Sequence, residues 1–220
     1  MPGKKVVLLL ILVAAICFGV IFAAFENGGL LGLANSLGQG FLISIVFYFV
    51  VVYLPEKKRR NDIYRNMELQ YRTFKESCIN TFLVLSNSQE YQNRENLLSQ
   101  EEFRRYFKNS NCLGENRWDA VSNALLANEY YLAEIKYEIT ILNDELKFLL
   151  GSAHVYDEEA FRYFKRVSQV LHRLELVKQE YDDIKTLCRY LWSIFTGWSF
   201  VDGYKEAHKD MFLEMLSSTK

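Results

Sequence analysis

The chain has 220 residues, half of them hydrophobic, and its 26 basic and 27 acidic residues leave a formal net charge of −1. This balance argues against the basic surface that nucleic-acid binding requires, so we expect no direct nucleic-acid partner. The longest apolar runs lie near the N-terminus, which divides the chain into a membrane segment, residues 1–55, and a helical domain, residues 56–220.

The first apolar run covers residues 6–25 and contains no charged side chain. A helix of this length extends about 30 Å, the thickness of the hydrocarbon core of a bilayer, so the run predicts a transmembrane helix. A cleaved signal peptide is the alternative. It is disfavoured because Phe22 lies at the −3 position before a cut at Ala24, where a small residue is required.

The second run, residues 37–54, also lacks charge and is just long enough to span a bilayer. It ends at Tyr53 and Pro55, residue types that suit a membrane interface and a helix stop. Glycines interrupt residues 26–40, which predicts a short loop between the two spans. That loop lies at the interface or dips into the outer leaflet.

Small residues recur every four positions in both runs, as Ala15, Gly19 and Ala23 in the first and as Gly40 and Ser44 in the second. This spacing allows helices to approach closely, either within one chain or between two chains. We therefore expect a packed transmembrane hairpin.

The basic residues predict the orientation of the hairpin. Lys4 and Lys5 precede the first span, and the loop between the spans contains only Glu26. Four more basic residues follow the second span: Lys57, Lys58, Arg59 and Arg60. Basic residues are enriched in the segments before the first span and after the second, and not in the loop between them. This distribution predicts that both termini lie in the cytoplasm. The same four cations are candidate contacts for anionic lipid head groups.

The sequence of residues 56–220 predicts an all-α domain. Its first helix has one apolar face: Tyr64, Met67, Tyr71, Phe74, Cys78, Phe82 and Leu85. Ser99 and Glu102 have the spacing of a capping box, which predicts a short helix through Phe103, Tyr106 and Phe107.

Two longer segments alternate spacings of three and four, the repeat of a coiled coil. The first comprises Trp118, Val121, Leu125, Asn128, Leu132, Ile135, Ile139, Leu142, Leu146 and Leu149. The second comprises Ala160, Tyr163, Val167, Val170, Leu174, Val177, Tyr181, Ile184, Cys188, Leu191 and Phe195. Gly151 and the acidic residues after it imply a short connection, so we expect two long antiparallel helices.

A candidate assembly seam runs along these two segments: Leu125, Asn128, Leu132, Leu174, Val177 and Tyr181. One buried Asn in such a seam can fix the register and the oligomer number, which makes Asn128 the most informative polar residue. The alternative is a helix rotated so that Asn128 is solvated.

An aromatic cluster follows, with Trp192, Phe195, Trp198 and Phe200. Aromatic residues at helical spacing pack in a core, anchor a partner protein, or rest at a membrane surface, and the sequence leaves these three alternatives open. Trp192, Trp198 and Phe200 are candidate partner contacts. Gly197 stops the preceding helix, and residues 204–216 predict a last amphipathic helix, with no strand in the domain.

No motif points to catalysis. His154, His172 and His208 stand far apart, and there is no H-E-x-x-H, Walker-type phosphate loop or G-x-S-x-G. The four cysteines form no C-x-x-C, so we expect free thiols in a reducing compartment. We therefore expect a protein that is not an enzyme and holds no cofactor or metal.

In layout, two transmembrane helices followed by a cytosolic helical domain, the chain resembles small membrane components of bacterial anti-phage defence systems. The resemblance involves no motif. It implies a bacterial inner-membrane protein that senses a membrane disturbance and recruits or releases a cytosolic effector. The architecture itself favours a non-enzymatic platform that contacts lipids, forms homo-oligomers and binds a cytosolic protein partner. The alternative is a membrane-permeabilising effector or channel controlled by the cytosolic domain.

Overall fold

The computed structural model describes residues 30–152, 155, 157–199, 203–204 and 210–219, with side chains from residue 37 onward. Most of these residues are helical, and the regular elements are helices apart from one two-residue strand pair, so the predicted all-α class is confirmed. The first predicted span, with Ala15, Gly19 and Ala23, lies outside the described residues, as does Phe200. The chain divides into two compact units, Met1–Asp62 and Ile63–Lys220.

In the first unit, helix α1 covers Leu30–Phe47 and a π-helical turn covers Tyr48–Tyr53. The predicted loop over residues 26–40 is therefore wrong from Leu30 onward. The leucines and Ala34 in this stretch favour a helix, and each glycine opposes it by only about 1 kcal/mol. One described helix, Leu37–Leu85, is long and apolar enough to cross a membrane, judged by length and composition.

Pro55 does not end the helix as predicted, because helix α2 continues through it from Leu54 to Leu85. Proline has no N–H to donate, and its ring clashes with the carbonyl four residues earlier, here that of Val51. The wider π-helical turn directly before it, in which the Leu54 N–H bonds to the Phe49 carbonyl, accommodates the ring.

The apolar face of α2 forms the centre of the second unit, as predicted. All seven residues predicted for this face are buried: Tyr64, Met67, Tyr71, Phe74, Cys78, Phe82 and Leu85. The Phe82 ring meets four other aromatic rings, with centroid distances of 5.2 Å to Trp118 and 5.4 Å to Phe195. The other two, Phe103 and Phe107, both lie at 6.2 Å.

The remaining elements surround this face. They are a short 3₁₀ helix (Arg94–Leu98), α3 (Gln100–Lys108), α4 (Arg117–Ala127), α5 (Glu129–Ser152), α6 (Glu158–Glu175), α7 (Tyr181–Thr196), β1 (Trp198–Ser199), β2 (Gly203–Tyr204) and α8 (Met211–Ser218).

Helix α3 begins where the capping box predicts, but the capping-box hydrogen bond is not formed. Ser99 occupies the N-cap position, and its side chain makes no cap hydrogen bond. The Glu102 carboxylate is instead held by Arg105 on its own helix. A competing ion pair one turn away thus replaces the reciprocal cap.

The two long helices predicted by the coiled-coil repeat are each broken in the structure. The first breaks at Asn128, which has extended φ and ψ angles of −134° and 108°. Its Oδ1 accepts the Tyr130 N–H at 3.0 Å, so Asn128 caps the start of α5. The second breaks between Glu175 and Tyr181, where the Asp183 carboxylate accepts the Lys178 N–H at 2.8 Å. In both places a side chain takes a backbone donor that a continuous helix would need.

Helices α5 and α6 pack antiparallel across a polar network centred on Asn143, whose side chain is fully buried. Its Nδ2 donates to Glu175 Oε1 at 2.7 Å, and its Oδ1 accepts from Ser168 Oγ at 2.7 Å. Lys136 Nζ donates to the Val177 carbonyl at 2.9 Å. The buried asparagine between the two helices is therefore Asn143, whereas Asn128 is exposed, which is the alternative that the periodicity left open.

Gly197 ends α7 as predicted, with a left-handed φ of 66°. The sequence did not indicate the two-residue antiparallel ladder that follows, in which Trp198 pairs with Tyr204. The last described helix begins at Met211 rather than at Tyr204, and the Asp210 carboxylate caps it by accepting the Phe212 N–H at 3.0 Å.

Because Asn128 is an exposed cap and Asn143 is buried, we expect the same substitution to have very different effects on stability at the two positions. Asn128→Asp keeps a good N-cap and should leave stability within about 0.5 kcal/mol of the wild type. Asn143→Asp places a buried carboxylate next to that of Glu175 and should cost about 2 kcal/mol or more. Thermal unfolding followed by circular dichroism would then show a fall in Tm of about 4–8 °C for Asn143→Asp alone. Equal effects of the two substitutions would contradict these assignments.

Candidate functional site

The residues of the predicted assembly seam fall into two groups. Leu125, Leu132, Leu174 and Val177 are buried in the core of the second unit. Asn128 and Tyr181 are exposed. The four buried residues pack within the chain itself and are covered by its own helices.

The residues predicted for membrane contact lie on exposed surface. Gly40 and Ser44 are exposed, and a Cβ atom added to Gly40 would meet no atom within 4 Å other than those of its own helical turn. The Ser44 hydroxyl donates to the Gly40 carbonyl at 2.8 Å, so its hydrogen bond stays inside the helix. Lys57, Lys58 and Arg59 are exposed and Arg60 is partly buried. Arg59 forms a long i, i+3 contact of 3.8 Å with Glu56.

The candidate aromatic contacts lie at an open cleft between α4, α7 and the strand pair. The chain has three tryptophans, and all of them line this cleft. Its volume is about 590 Å³, within the range of pockets that hold ligands or anchoring side chains. We call it the tryptophan cleft, and it is lined by Trp118, Asp119, Ser122, Asn123, Leu126, Tyr181, Ile184, Lys185, Cys188, Arg189, Trp192, Trp198 and Tyr204.

Trp118 and Trp192 form the boundary between the cleft and the aromatic core. Their ring centroids are 5.1 Å apart, and both rings are half-buried. Trp118 contacts Phe82 edge-on, and Trp192 lies 6.1 Å from Phe103. Asn116 fixes the start of α4 by accepting the Trp118 N–H at 2.9 Å. One side of each tryptophan is thus held by the core.

The strand pair forms the side of the cleft that α4 and α7 leave uncovered, through Trp198 and Tyr204. Trp192 Nε1 donates to the Tyr204 hydroxyl at 3.4 Å. The Tyr204 ring also lies 4.4 Å from the Arg104 guanidinium and 4.9 Å from Lys108 Nζ, which are both on α3. These cation–π contacts hold β2, and through the ladder Trp198 on β1, beside α7.

The lips of the cleft differ in charge. Asp119 and Asn123 are exposed on α4, while Lys185 and Arg189 are exposed one turn apart on α7. Among the described residues, neither Lys185 nor Arg189 forms an ion pair with an acidic side chain.

Cys188 lies below the charged lip and is buried. Burial raises the pKa of its thiol to about 11, although a hydrogen bond with Ser122 opposes the shift. The thiol therefore stays protonated near neutral pH and is a poor nucleophile. Cys188 contributes packing to this cleft, and its described surroundings do not activate it.

A second buried polar cluster joins α2 to the start of α8. Lys75 Nζ donates to Asp210 Oδ2 at 3.1 Å and to the Leu98 carbonyl at 3.0 Å. The Tyr71 hydroxyl donates to the same carboxylate at 2.9 Å. Burial, aided by the Asp210 charge, raises the pKa of Tyr71 well above its usual value, which keeps this donor protonated. Every polar atom of the pair is used inside the fold, so the cluster is structural.

Sequence reasoning missed Lys75, Asp210 and Asn143 for one shared reason. Their side-chain partners are distant along the chain, and the Lys75–Asp210 contact joins residues 135 positions apart. A local signal existed for Lys75, since it directly follows Phe74 on the apolar face of α2. A charged residue at the edge of such a face predicts a buried ion pair but does not name the partner.

Comparisons with known proteins add no relative: no family model, curated protein or solved structure matches this chain. Across the part of the chain that the structure describes, no group of three His, Cys, Asp or Glu side chains is placed to hold a metal ion. The described features that can bind a partner or a membrane are the exposed apolar helix and the tryptophan cleft.

The Lys75–Asp210 pair predicts strong coupling between α2 and α8. Lys75→Met leaves a buried carboxylate without its cation and should cost about 3–5 kcal/mol of folding stability. Adding Asp210→Asn removes the orphaned charge and should recover part of that loss. Denaturant unfolding of both single variants and the double variant measures the coupling. A loss below about 1 kcal/mol for Lys75→Met would contradict a buried ion pair.

Proposed function

We propose that this chain is a non-enzymatic membrane platform that anchors through its apolar N-terminal helices and holds a cytosolic protein at the tryptophan cleft. The observation that carries the proposal is the cleft itself, because the composition of its lining matches the residues that dominate protein interfaces. The resemblance in layout extends the proposal to a role in bacterial anti-phage defence at the inner membrane.

The anchor is supported by apolar side chains that no described residue covers. The most hydrophobic stretch of the Leu37–Leu85 helix has no buried residue. Leu37 is 68% exposed and Ile43 is 69% exposed, and the neighbouring valine and phenylalanine residues are between 37% and 63% exposed. An apolar surface this long would be a severe aggregation hazard in water, whereas lipid would cover it. We propose two such spans with both termini in the cytoplasm.

The partner site is supported by residue type and by preorganisation. Trp, Tyr and Arg are the residues most enriched among binding hot spots. The cleft is lined by three Trp, two Tyr and one Arg. The core holds Trp118 and Trp192, and the Arg104 and Lys108 contacts hold Tyr204. Side chains fixed before binding lose little entropy when a partner docks.

Self-association, if it occurs through a helix, has to use a surface other than the buried seam. We propose the outward face of α5, where Tyr130, Tyr137 and Phe148 are all more than half exposed. With the partly exposed Ile141 they follow spacings of seven, four and seven, which is the coiled-coil repeat. This face is a candidate contact between two copies of the chain.

Labelling of introduced cysteines tests the anchor. In a background with the four native cysteines replaced by alanine, Val46→Cys should not react with a membrane-impermeant maleimide, because lipid covers it. Asp62→Cys should react in inverted membrane vesicles and not in right-side-out vesicles. Rapid labelling of Val46→Cys in sealed vesicles would contradict a second span. Labelling of Asp62→Cys only in right-side-out vesicles would reverse the orientation.

Photo-crosslinking in intact cells tests the partner and the self-contact separately. A benzophenone amino acid at Asn123, on the cleft lip, should give an adduct with one cytosolic protein, identified by mass spectrometry. The same group at Tyr137 should give an adduct of twice the chain mass. Arg166, exposed on α6, is the control position and should give neither. Absence of an adduct at Asn123, or the same adducts at all three positions, would contradict a partner at the cleft.

A further inference from the structure

The charges on the tryptophan cleft indicate what kind of segment it binds. Three of its lining side chains are charged, and two of these, Lys185 and Arg189, are cations on the same lip. The third, Asp119, lies on the opposite lip. A ligand that crosses the cleft therefore meets an aromatic wall next to a pair of positive charges.

Both cations can reach a ligand in the cleft, and the Lys185 Nζ also lies 5.2 Å from the centre of the Tyr181 ring, which is part of the lining. They are exposed, and they form no ion pair with a described acidic residue. The positions i and i+4 place them on the same side of α7, about 6 Å apart, a spacing that two carboxylates of one peptide can match. Arginine also binds a carboxylate with two parallel hydrogen bonds, which orients the ligand as well as attracting it.

The wall beside them suits a large apolar side chain. Trp118 and Trp192 are half-buried at the base of the cleft, and Leu126 and Ile184 add aliphatic surface. A leucine or phenylalanine of a partner would contact the exposed sides of these rings. A cleft of about 590 Å³ holds one such side chain together with the backbone on either side of it.

We propose that the tryptophan cleft binds a linear acidic segment of the cytosolic partner, in which one leucine or phenylalanine is flanked by carboxylates that pair with Lys185 and Arg189. This inference rests on the proposed function and names the chemistry of the partner at the same site. A basic segment is disfavoured because it would bring positive charge against this lip, with Asp119 as the single acidic lining residue.

Tryptophan fluorescence gives a direct test, because every tryptophan of the chain lines the cleft. The full chain in lipid nanodiscs is titrated with four short synthetic peptides that contain no tryptophan. Three have a central phenylalanine flanked by glutamates, serines or lysines, and the fourth has alanine at the centre of the glutamate peptide. The glutamate–phenylalanine peptide should bind roughly fivefold or more tightly than each of the others.

A charge reversal then assigns the preference to α7. Lys185→Glu/Arg189→Glu should weaken the glutamate–phenylalanine peptide and strengthen the lysine peptide, so that the order of affinity reverses. Lys165→Glu/Arg166→Glu makes the same charge change on the exposed surface of α6 and should leave the order unchanged. If the glutamate variant of α7 fails to fold, Lys185→Gln/Arg189→Gln should still abolish the preference for glutamate.

Three results would overturn the inference: equal affinity for all four peptides, tighter binding of the lysine peptide to the wild type, or a preference unchanged by the α7 substitutions. Each of these leaves the proposed function standing if the Asn123 photo-adduct forms, since a partner of other chemistry would then occupy the cleft. Loss of the Asn123 adduct together with retained peptide selectivity would overturn the recruitment role instead.

Discussion

The second unit depends on covering one face of α2. Residues from Tyr64 to Leu85 on this face are large and apolar, and side chains from several helices share in burying them. The Phe82 end is covered by rings from α3, α4 and α7, whereas Tyr71 stacks on Phe212 of α8 at 4.2 Å. Without the apolar face of α2, the helices that pack on it would have no common core.

The tryptophan cleft follows from the same constraint. The rings around Phe82 fill the space between α2, α3, α4 and α7, and the outermost of them are Trp118 and Trp192. Because tryptophan is large, its inner side completes the core while its outer side remains open. The core and the candidate binding site therefore share residues, which gives the site rigidity and makes its walls sensitive to changes in the core.

The sequence predicted those features that depend on local periodicity. The prediction of the apolar face of α2 was correct at every position, and the apolar positions around Leu132 and Leu174 are buried as the repeat indicated. The prediction that the long helices are continuous was wrong at Asn128 and after Glu175. A broken helix pair can bury the same repeat as an unbroken one, so periodicity alone does not detect a capped break.

The polar contacts and the cleft could not be predicted in the same way. Asn128 is solvated because the helix breaks there, and Asn143 is buried because its side of α5 meets α6. Lys75 contacts Asp210, which lies 135 residues away at the start of α8. For the aromatic cluster the sequence left core packing, partner binding and membrane contact open. The structure brings Trp118 to Trp192 and Trp198, a contact between α4 and α7 that no local pattern contains.

The central claim is that all three tryptophans face a cleft open to water. Fluorine NMR of the full chain in nanodiscs, labelled with 5-fluorotryptophan, tests it most directly because each tryptophan gives one resonance. A water-soluble gadolinium chelate should broaden all three resonances, and a paramagnetic lipid should leave them sharp. Resonances of Trp118 and Trp192 that the chelate does not broaden would mean a closed core. Broadening by the lipid would place the cluster at the membrane surface, and either result would contradict the account.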